Sequence, residues 1–154
     1  MTARKLTLED RQAVADLETQ LFDGRFDAAG LCALLGKPAF YGVVLPAPDM
    51  PTTIHAYGLA YITSIQADII AIGTEKTKQG RGFGRIILQH LIDVTEQHKV
   101  AEITLEVAAD NILARRLYDS CGFHMSGIRK DYYYRDQNRC DAVIMTRRCD
   151  SAFP

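Results

Sequence analysis

Lys78-Gln79-Gly80-Arg81-Gly82-Phe83-Gly84-Arg85, running directly into Ile86-Ile87-Leu88-Gln89-His90-Leu91-Ile92, is the stretch whose chemistry is easiest to read. Glycines at alternate positions release the backbone from the limits a Cβ imposes and let a ligand approach the peptide N–H groups. A helix beginning there adds unpaired first-turn N–H groups and the positive end of its dipole, so the loop suits a phosphate. Arg81 and Arg85 bring charge to the same place. The spacing is neither that of a Walker loop nor that of a dinucleotide fingerprint. By itself, a glycine-rich turn ahead of an amphipathic helix fits the same residues.

The neighbouring elements must present this loop. Ser64 to Gly73, with Ile65, Ile69, Ile70 and Ile72, reads as a buried strand delivering the chain to the glycines. Beyond them Phe83, Ile87, Leu91 and Val94 form one helical stripe that a sheet must cover. Phe40 to Leu45, ended by Pro46, and Ile54 to Ile62, after a proline-marked loop from Pro46 to Pro51, read as two earlier strands. Three strands in succession suggest an antiparallel meander, and strand, loop, helix, strand then suggests a parallel crossover, so the sheet is expected to be mixed. Thr7-Leu8-Glu9-Asp10 opens a first helix like a capping box, continued by Ala13, Val14, Leu17 and Leu21. Phe22 to Phe26, which carries Asp23-Gly24, reads as a turn. Leu31, Leu34 and Leu35 read as a short second helix stopped by Gly36 and Pro38.

A second stretch carries chemistry further on. Ala101 to Val107 alternates strictly, with Ile103, Leu105 and Val107 on one face and Glu102, Thr104 and Glu106 on the other. Glu106 therefore lies outside the apolar stripe, as a solvated charge or as a group for proton transfer. Asn111 suits the N-cap of a helix with Ala114, Leu117, Tyr118 and Cys121 on one stripe and Gly122 as its stop. From the residues alone, Tyr118 reads as a core aromatic with its hydroxyl at the edge. Phe123 begins a last strand pair through Tyr132-Tyr133-Tyr134 and Ala142-Val143-Ile144-Met145.

With 47% hydrophobic and 24% charged residues, the 154-residue chain reads as one globular domain, and no run approaches the ~18 apolar residues of a membrane span. The residues from Met1 to Leu6 carry two basic side chains with no apolar run behind them, so no signal peptide and a cytoplasmic location are expected. A net charge of -1 removes the electrostatic case for nucleic acid as the main partner. Cys32, Cys121, Cys140 and Cys149 form no Cys-x-x-Cys pair and are expected to be reduced. Cys121 and His124 lack a second ligand pair, so no metal is expected.

Gln79-x-x-Gly82-x-Gly84 after an apolar segment resembles the pyrophosphate loop of the GNAT superfamily of acetyl-coenzyme A-dependent N-acetyltransferases. Leu105-Glu106-Val107, Asn111, Ala114, Leu117-Tyr118 and Gly122-Phe123 follow in the family's order. Continued by Gly127 to Tyr133 and Asp141 to Met145, the run looks like the RimI type, which acetylates the N-terminal alanine of a small-subunit ribosomal protein. The resemblance covers about residues 68 to 147. It implies the GNAT fold, an α/β (α+β) arrangement with a mixed, mostly antiparallel central sheet flanked by helices.

The same resemblance implies roles. Glu106 becomes the general base and Tyr118 the general acid. Gln79, Gly80, Arg81, Gly82, Phe83, Gly84, Arg85 and Asn111 become coenzyme contacts, while Ile72, Gly73 and Thr74 hold the pantetheine and thioester carbonyl. Tyr132, Tyr133 and Phe26 are expected against the acceptor, with the segments Phe22 to Leu31 and Tyr132 to Tyr134 on either side of its cleft. Three positions depart from the RimI pattern: the chain has no Trp near the first loop, Cys140 replaces a Glu, and Tyr134 replaces a Pro. All three are expected on the acceptor side. The implied partner is a protein or peptide N-terminus, that of a ribosomal protein among the candidates, met by a monomer or weak homodimer. An α-amine near pKa 7.8 is roughly 14% neutral at pH 7 against roughly 0.04% for a lysine near 10.4, so one carboxylate base suits the former. A GNAT enzyme for lysine or a small-molecule amine, and an inactive acyl-coenzyme A-binding module, stand as alternatives.

Overall fold

The computed structural model describes residues 1–149 apart from Asp23 and Asp136. In chain order the elements are β1 (Arg4–Lys5), α1 (Arg11–Phe22), α2 (Ala28–Leu35), β2 (Phe40–Ala47), β3 (Met50–Ile62), β4 (Gln66–Thr74), α3 (Phe83–Gln97), β5 (Glu102–Ala108), α4 (Ile112–Ser120), β6 (His124–Arg135) and β7 (Asn138–Arg148). The seven strands form one sheet in the order β1-β2-β3-β4-β5-β7-β6. All neighbours are antiparallel except β4 and β5. The mixed sheet expected from the pattern is thus present, with β7 inserted between β5 and β6.

Alternation along the strands sends side chains to two cores. On one face Ile69, Ile103, Leu105 and Val107 pack with Ile87, Leu88 and Leu91 of α3 and Tyr118 of α4. On the other, Val44, Tyr57 and Leu59 pack with Val14 and Leu17 of α1 and Leu31 of α2. Ile87 and Leu91 are fully buried, and each such side chain contributes about 1.5–3 kcal/mol of hydrophobic stabilisation. The α3 stripe read from the sequence is therefore what fixes the helix against the sheet.

Two boundaries differ from expectation. Pro46 lies inside β2, at a shift of register against β3, and the hairpin turn is shortened to Pro48-Asp49. A bulge removes the ladder hydrogen bond that proline cannot make. The first helix begins with a 3-10 turn, Leu8–Asp10, where the Thr7 N–H donates to the Asp10 carboxylate at 2.8 Å, before α1 proper. Of the Asp23-Gly24 turn, Asp23 lies outside the described residues. Among those described, no helix is long and apolar enough to cross a membrane.

Candidate active site

β4 and β5 pair only from Gln66 opposite Glu102 to Ile69 opposite Leu105. β4 continues to Thr74 along β3, and β5 continues to Ala108 along β7. Past Ile69 the two strands diverge, and their inner edges offer peptide groups to whatever enters the wedge. A bulge starts the divergence: Ala60 pairs with Ile69 and Leu59 with Ala71, skipping Ile70. The Ile70 carbonyl instead accepts a hydrogen bond from Arg25 at 2.8 Å. At Gly73 a Cβ would stand 2.5 Å from the Tyr57 ring, so only glycine lets the β4 edge lie this low.

A cleft of about 1090 Å³ opens on one side of the wedge, lined by Ile72, Gly73, Thr74, the glycine loop, and Asn111, Leu113, Leu117 and Tyr118. Gly80 and Gly82 have φ of 78° and 82°, with nothing within 4 Å of where a Cβ would be. Their positive φ lets the loop curl over the α3 N-terminus, where first-turn N–H groups face an anion. Gly84 has another reason. It lies within α3, and its Cβ would stop 3.4 Å from Leu117, so it sets the approach of α4. Gln79 ties the loop back by donating to the Thr74 carbonyl at 3.1 Å. Lys76, Lys78 and Arg85 line the same cleft, and Arg85 is held by Ser120 at 2.8 Å. Positive charge, donors and open backbone make a cradle for a phosphate.

On the other side lies a cleft of about 510 Å³, lined by Arg25, Gln66, Asp68, Thr104, Glu106, Arg129, Tyr132, Tyr133 and Ile144 among others. Glu106 accepts an ion pair from Arg129 at 3.1 Å. The aromatic wall comes from an irregular stretch of β6, where Arg129 pairs with Ala142 and Tyr133 with Cys140. Asp131 takes φ 54° there, its N–H donating to Asp141 at 2.9 Å. That bulge turns Tyr132 into the smaller cleft, Tyr134 into the larger and Tyr133 between both.

The two clefts share Arg25 and Tyr133, with Glu106 in one and Tyr118 in the other. Asn111 caps α4 by accepting from the Ala114 N–H at 3.2 Å, which sets where Tyr118 emerges two turns later. Tyr118 is buried edge-on against Phe123, and burial, then the neighbouring Tyr133, push its phenol up to about 12. It remains protonated at neutral pH, so its hydroxyl has a proton to donate. A phenol held that high suits a hydrogen bond to a developing anion better than complete proton transfer. A carboxylate in one cleft and a hydroxyl donor in the other, where the two clefts share lining residues, can serve a group transfer in which one reactant loses a proton.

Most residues expected at the site come together here. Ile72, Gly73, Thr74, Gln79, Gly80, Gly82, Phe83, Gly84, Arg85, Asn111 and Tyr118 line the larger cleft, and Glu106, Tyr132 and Tyr133 the smaller. Arg81 is exposed and lines neither. Phe26 also lines neither: its ring packs on the α1/α2 core, with the Arg25 guanidinium 5.0 Å from its centroid. Tyr134, expected on the acceptor side, lines the larger cleft, because the irregularity of β6 between Arg129 and Tyr133 breaks the alternation that would put it beside Tyr132. Arg25, Asp68, Arg129 and Leu113 were not singled out from the sequence. No local pattern marks these four, which reach the clefts through long-range packing.

The model of the acetyltransferase (GNAT) family matches residues 15–123. The chain is 39% identical to the ribosomal protein bS18-alanine N-acetyltransferase of Escherichia coli over 90 residues, which span 58% of this chain and 61% of that relative's length. It is 32% identical to the N-alpha-acetyltransferase RimI of Mycobacterium tuberculosis over 159 residues, covering 100% of this chain and 95% of the relative. The crystal structure of the ribosomal-protein-S18-alanine N-acetyltransferase from Escherichia coli superposes with a TM-score of 0.86 at 28% identity, covering 96% of this chain and 92% of that one.

Proposed function

Since the chain belongs to the GNAT family of acetyltransferases, we propose that it acetylates the N-terminal α-amine of a protein from acetyl-coenzyme A. A ribosomal protein is the acceptor that its relatives' names suggest. The observation that carries this reading is the meeting of two clefts where β4 and β5 diverge, with Glu106 on one side and Tyr118 on the other. Such an enzyme would meet its acceptor in the cytoplasm, as a single acetyltransferase domain.

The residues present fit the coenzyme. Gly80, Gly82 and the α3 N-terminus would hold its pyrophosphate, with Lys76, Lys78 and Arg85 answering the charge. The free edge of Ile72 to Thr74 would take the pantetheine as an added strand. When bound, acetyl-coenzyme A supplies an acyl group on a thiol leaving group. Glu106 takes the surplus proton of the incoming amine, directly or through a water. Its ion pair with the exposed Arg129 is open enough to be exchanged for an ammonium. The Tyr118 hydroxyl donates a hydrogen bond to the sulfur as it leaves. Tyr132 and Tyr133 give an aromatic wall for an extended chain inserted end-on.

The test is intact-mass analysis of hexapeptides differing only at the first residue, each with one internal lysine and a free or blocked α-amine. Acetyl should appear on the free N-termini. The absence of tryptophan leads us to expect tolerance of first residues besides alanine. Acetylation of the blocked peptides at lysine, with none on free N-termini, would overturn the acceptor assignment.

A further inference from the structure

The floor of the smaller cleft carries a carboxylate that the reaction above does not use. Asp68 stands on β4 directly opposite Thr104 of β5, on the sheet face that also carries Glu106. The Thr104 hydroxyl and, at 2.9 Å, the Gln66 amide both donate to its Oδ1. These neutral donors fix the carboxylate in place and leave its charge. Among the described residues, no cation pairs with Asp68. The two arginines of the cleft are tied to its inner end. Arg129 pairs with Glu106 at 3.1 Å, and Arg25 donates to the Ile70 carbonyl beside the wedge. The outer end, at Gln66, Asp68 and Thr104, is therefore negative on its own account.

Distance says which part of an acceptor reaches it. Two residue steps along β5 take Thr104 to Glu106, about 6.6 Å, and one strand spacing of about 4.8 Å separates Thr104 from Asp68, so Asp68 stands about 8 Å from Glu106 along the floor. An extended peptide advances about 3.3 Å per residue. With its α-amine at Glu106, its second or third side chain passes over Asp68. We infer that Asp68 selects acceptors with a cationic side chain, arginine or lysine, at the second or third residue. This rests on the reading that the smaller cleft takes a peptide N-terminus.

Initial rates on hexapeptides of one common sequence, each with a free α-amine and carrying arginine, glutamine or glutamate at position two or three, test it. For wild type, kcat/KM with arginine should exceed that with glutamate at least tenfold at one of the two positions at low salt, and the ratio should shrink as salt is added. In Asp68→Asn the same ratio should fall to within about threefold of unity, whatever the absolute rate. A wild-type ratio near one overturns the inference without any variant, and so does a ratio that Asp68→Asn leaves intact. Acetylation of every peptide alike removes the inference alone. Acetylation of no α-amine at all removes the acceptor reading and the inference with it.

Discussion

Replacing Glu106 with glutamine keeps the length of the side chain and an acceptor oxygen and removes the capacity to take a proton. The structural cost should be small. The carboxylate is 29% exposed and its partner Arg129 54% exposed, and an ion pair this open contributes about 0–1 kcal/mol. In a chain of this size that is a shift in Tm of about 2–4 °C at most. The catalytic cost should be much larger, because a positioned base contributes about 10²–10⁴-fold. It should also depend on pH. An α-amine near pKa 7.8 is roughly 14% neutral at pH 7 and roughly 94% neutral at pH 9, so a variant waiting for neutral amine gains about sevenfold over that interval. A loss of about 10²-fold at pH 7 should narrow to about 15-fold at pH 9. Steady-state thiol release with a free-α-amine peptide, alongside calorimetry showing acetyl-coenzyme A affinity within about threefold of wild type, measures this. A pH-independent loss would mean that Glu106 positions the acceptor, and a kcat near wild type at pH 7 would refute the base assignment.

Other outcomes follow from the same geometry. Gly82→Val places a β-branched residue at φ 82° with open space around its Cβ; the backbone alone resists by about 1–3 kcal/mol. The loop should relax, weakening acetyl-coenzyme A at least tenfold by calorimetry while the circular dichroism spectrum is retained, and unchanged affinity in a folded variant would sink the phosphate cradle. Tyr118→Phe should lower kcat about three- to tenfold, the loss of one hydrogen bond, and the wild type should show no alkaline loss from this phenol until pH approaches about 12. A wild-type rate in Tyr118→Phe would return the ring to a packing role. Glu18, fully buried on α1, accepts from the Tyr57 hydroxyl at 2.6 Å, and among the described residues its other oxygen has no hydrogen-bond partner. Burial raises its pKa despite that bond and the nearby Arg25. A raised folded-state pKa means stability that is full below the ordinary glutamate value of about 4.3 and is lost as pH rises through the raised one. The Tm of Glu18→Gln should therefore gain on wild type as pH rises above about 4.3; a pH-independent difference in thermal melts would contradict this.

Local chemistry was legible in the sequence wherever one element decides it. The glycines mark the loop and the start of α3, the period of Ile87 and Leu91 gives the buried face, and strict alternation puts Glu106 opposite Ile103 and Leu105. Asn111 announces α4 because a cap acts within one turn. What escaped depends on pairing across the chain. The insertion of β7 between β5 and β6 cannot be read from either strand. Pro46 stays in β2 because a bulge forms against β3. The β6 bulge that sends Tyr132 and Tyr134 to different clefts depends on Asp141, ten residues beyond Asp131. Glu18 was not singled out from the sequence, because its partner Tyr57 lies 39 residues away. Arg25 and Arg129 enter the site through Ile70 and Glu106, partners that no local pattern connects.

The central claim is that the two clefts are one continuous site, joined at the β4–β5 divergence and built to bring an α-amine to a coenzyme-bound acetyl group. It is tested most directly by the affinity of a conjugate in which coenzyme A is joined through an acetyl linker to the α-amine of a short peptide. Calorimetry should give a dissociation constant at least tenfold below that of acetyl-coenzyme A, with a conjugate through a lysine side chain well behind, and Gly82→Val should weaken both. An α-linked conjugate binding no tighter than acetyl-coenzyme A, or more weakly than the lysine-linked one, would contradict the account.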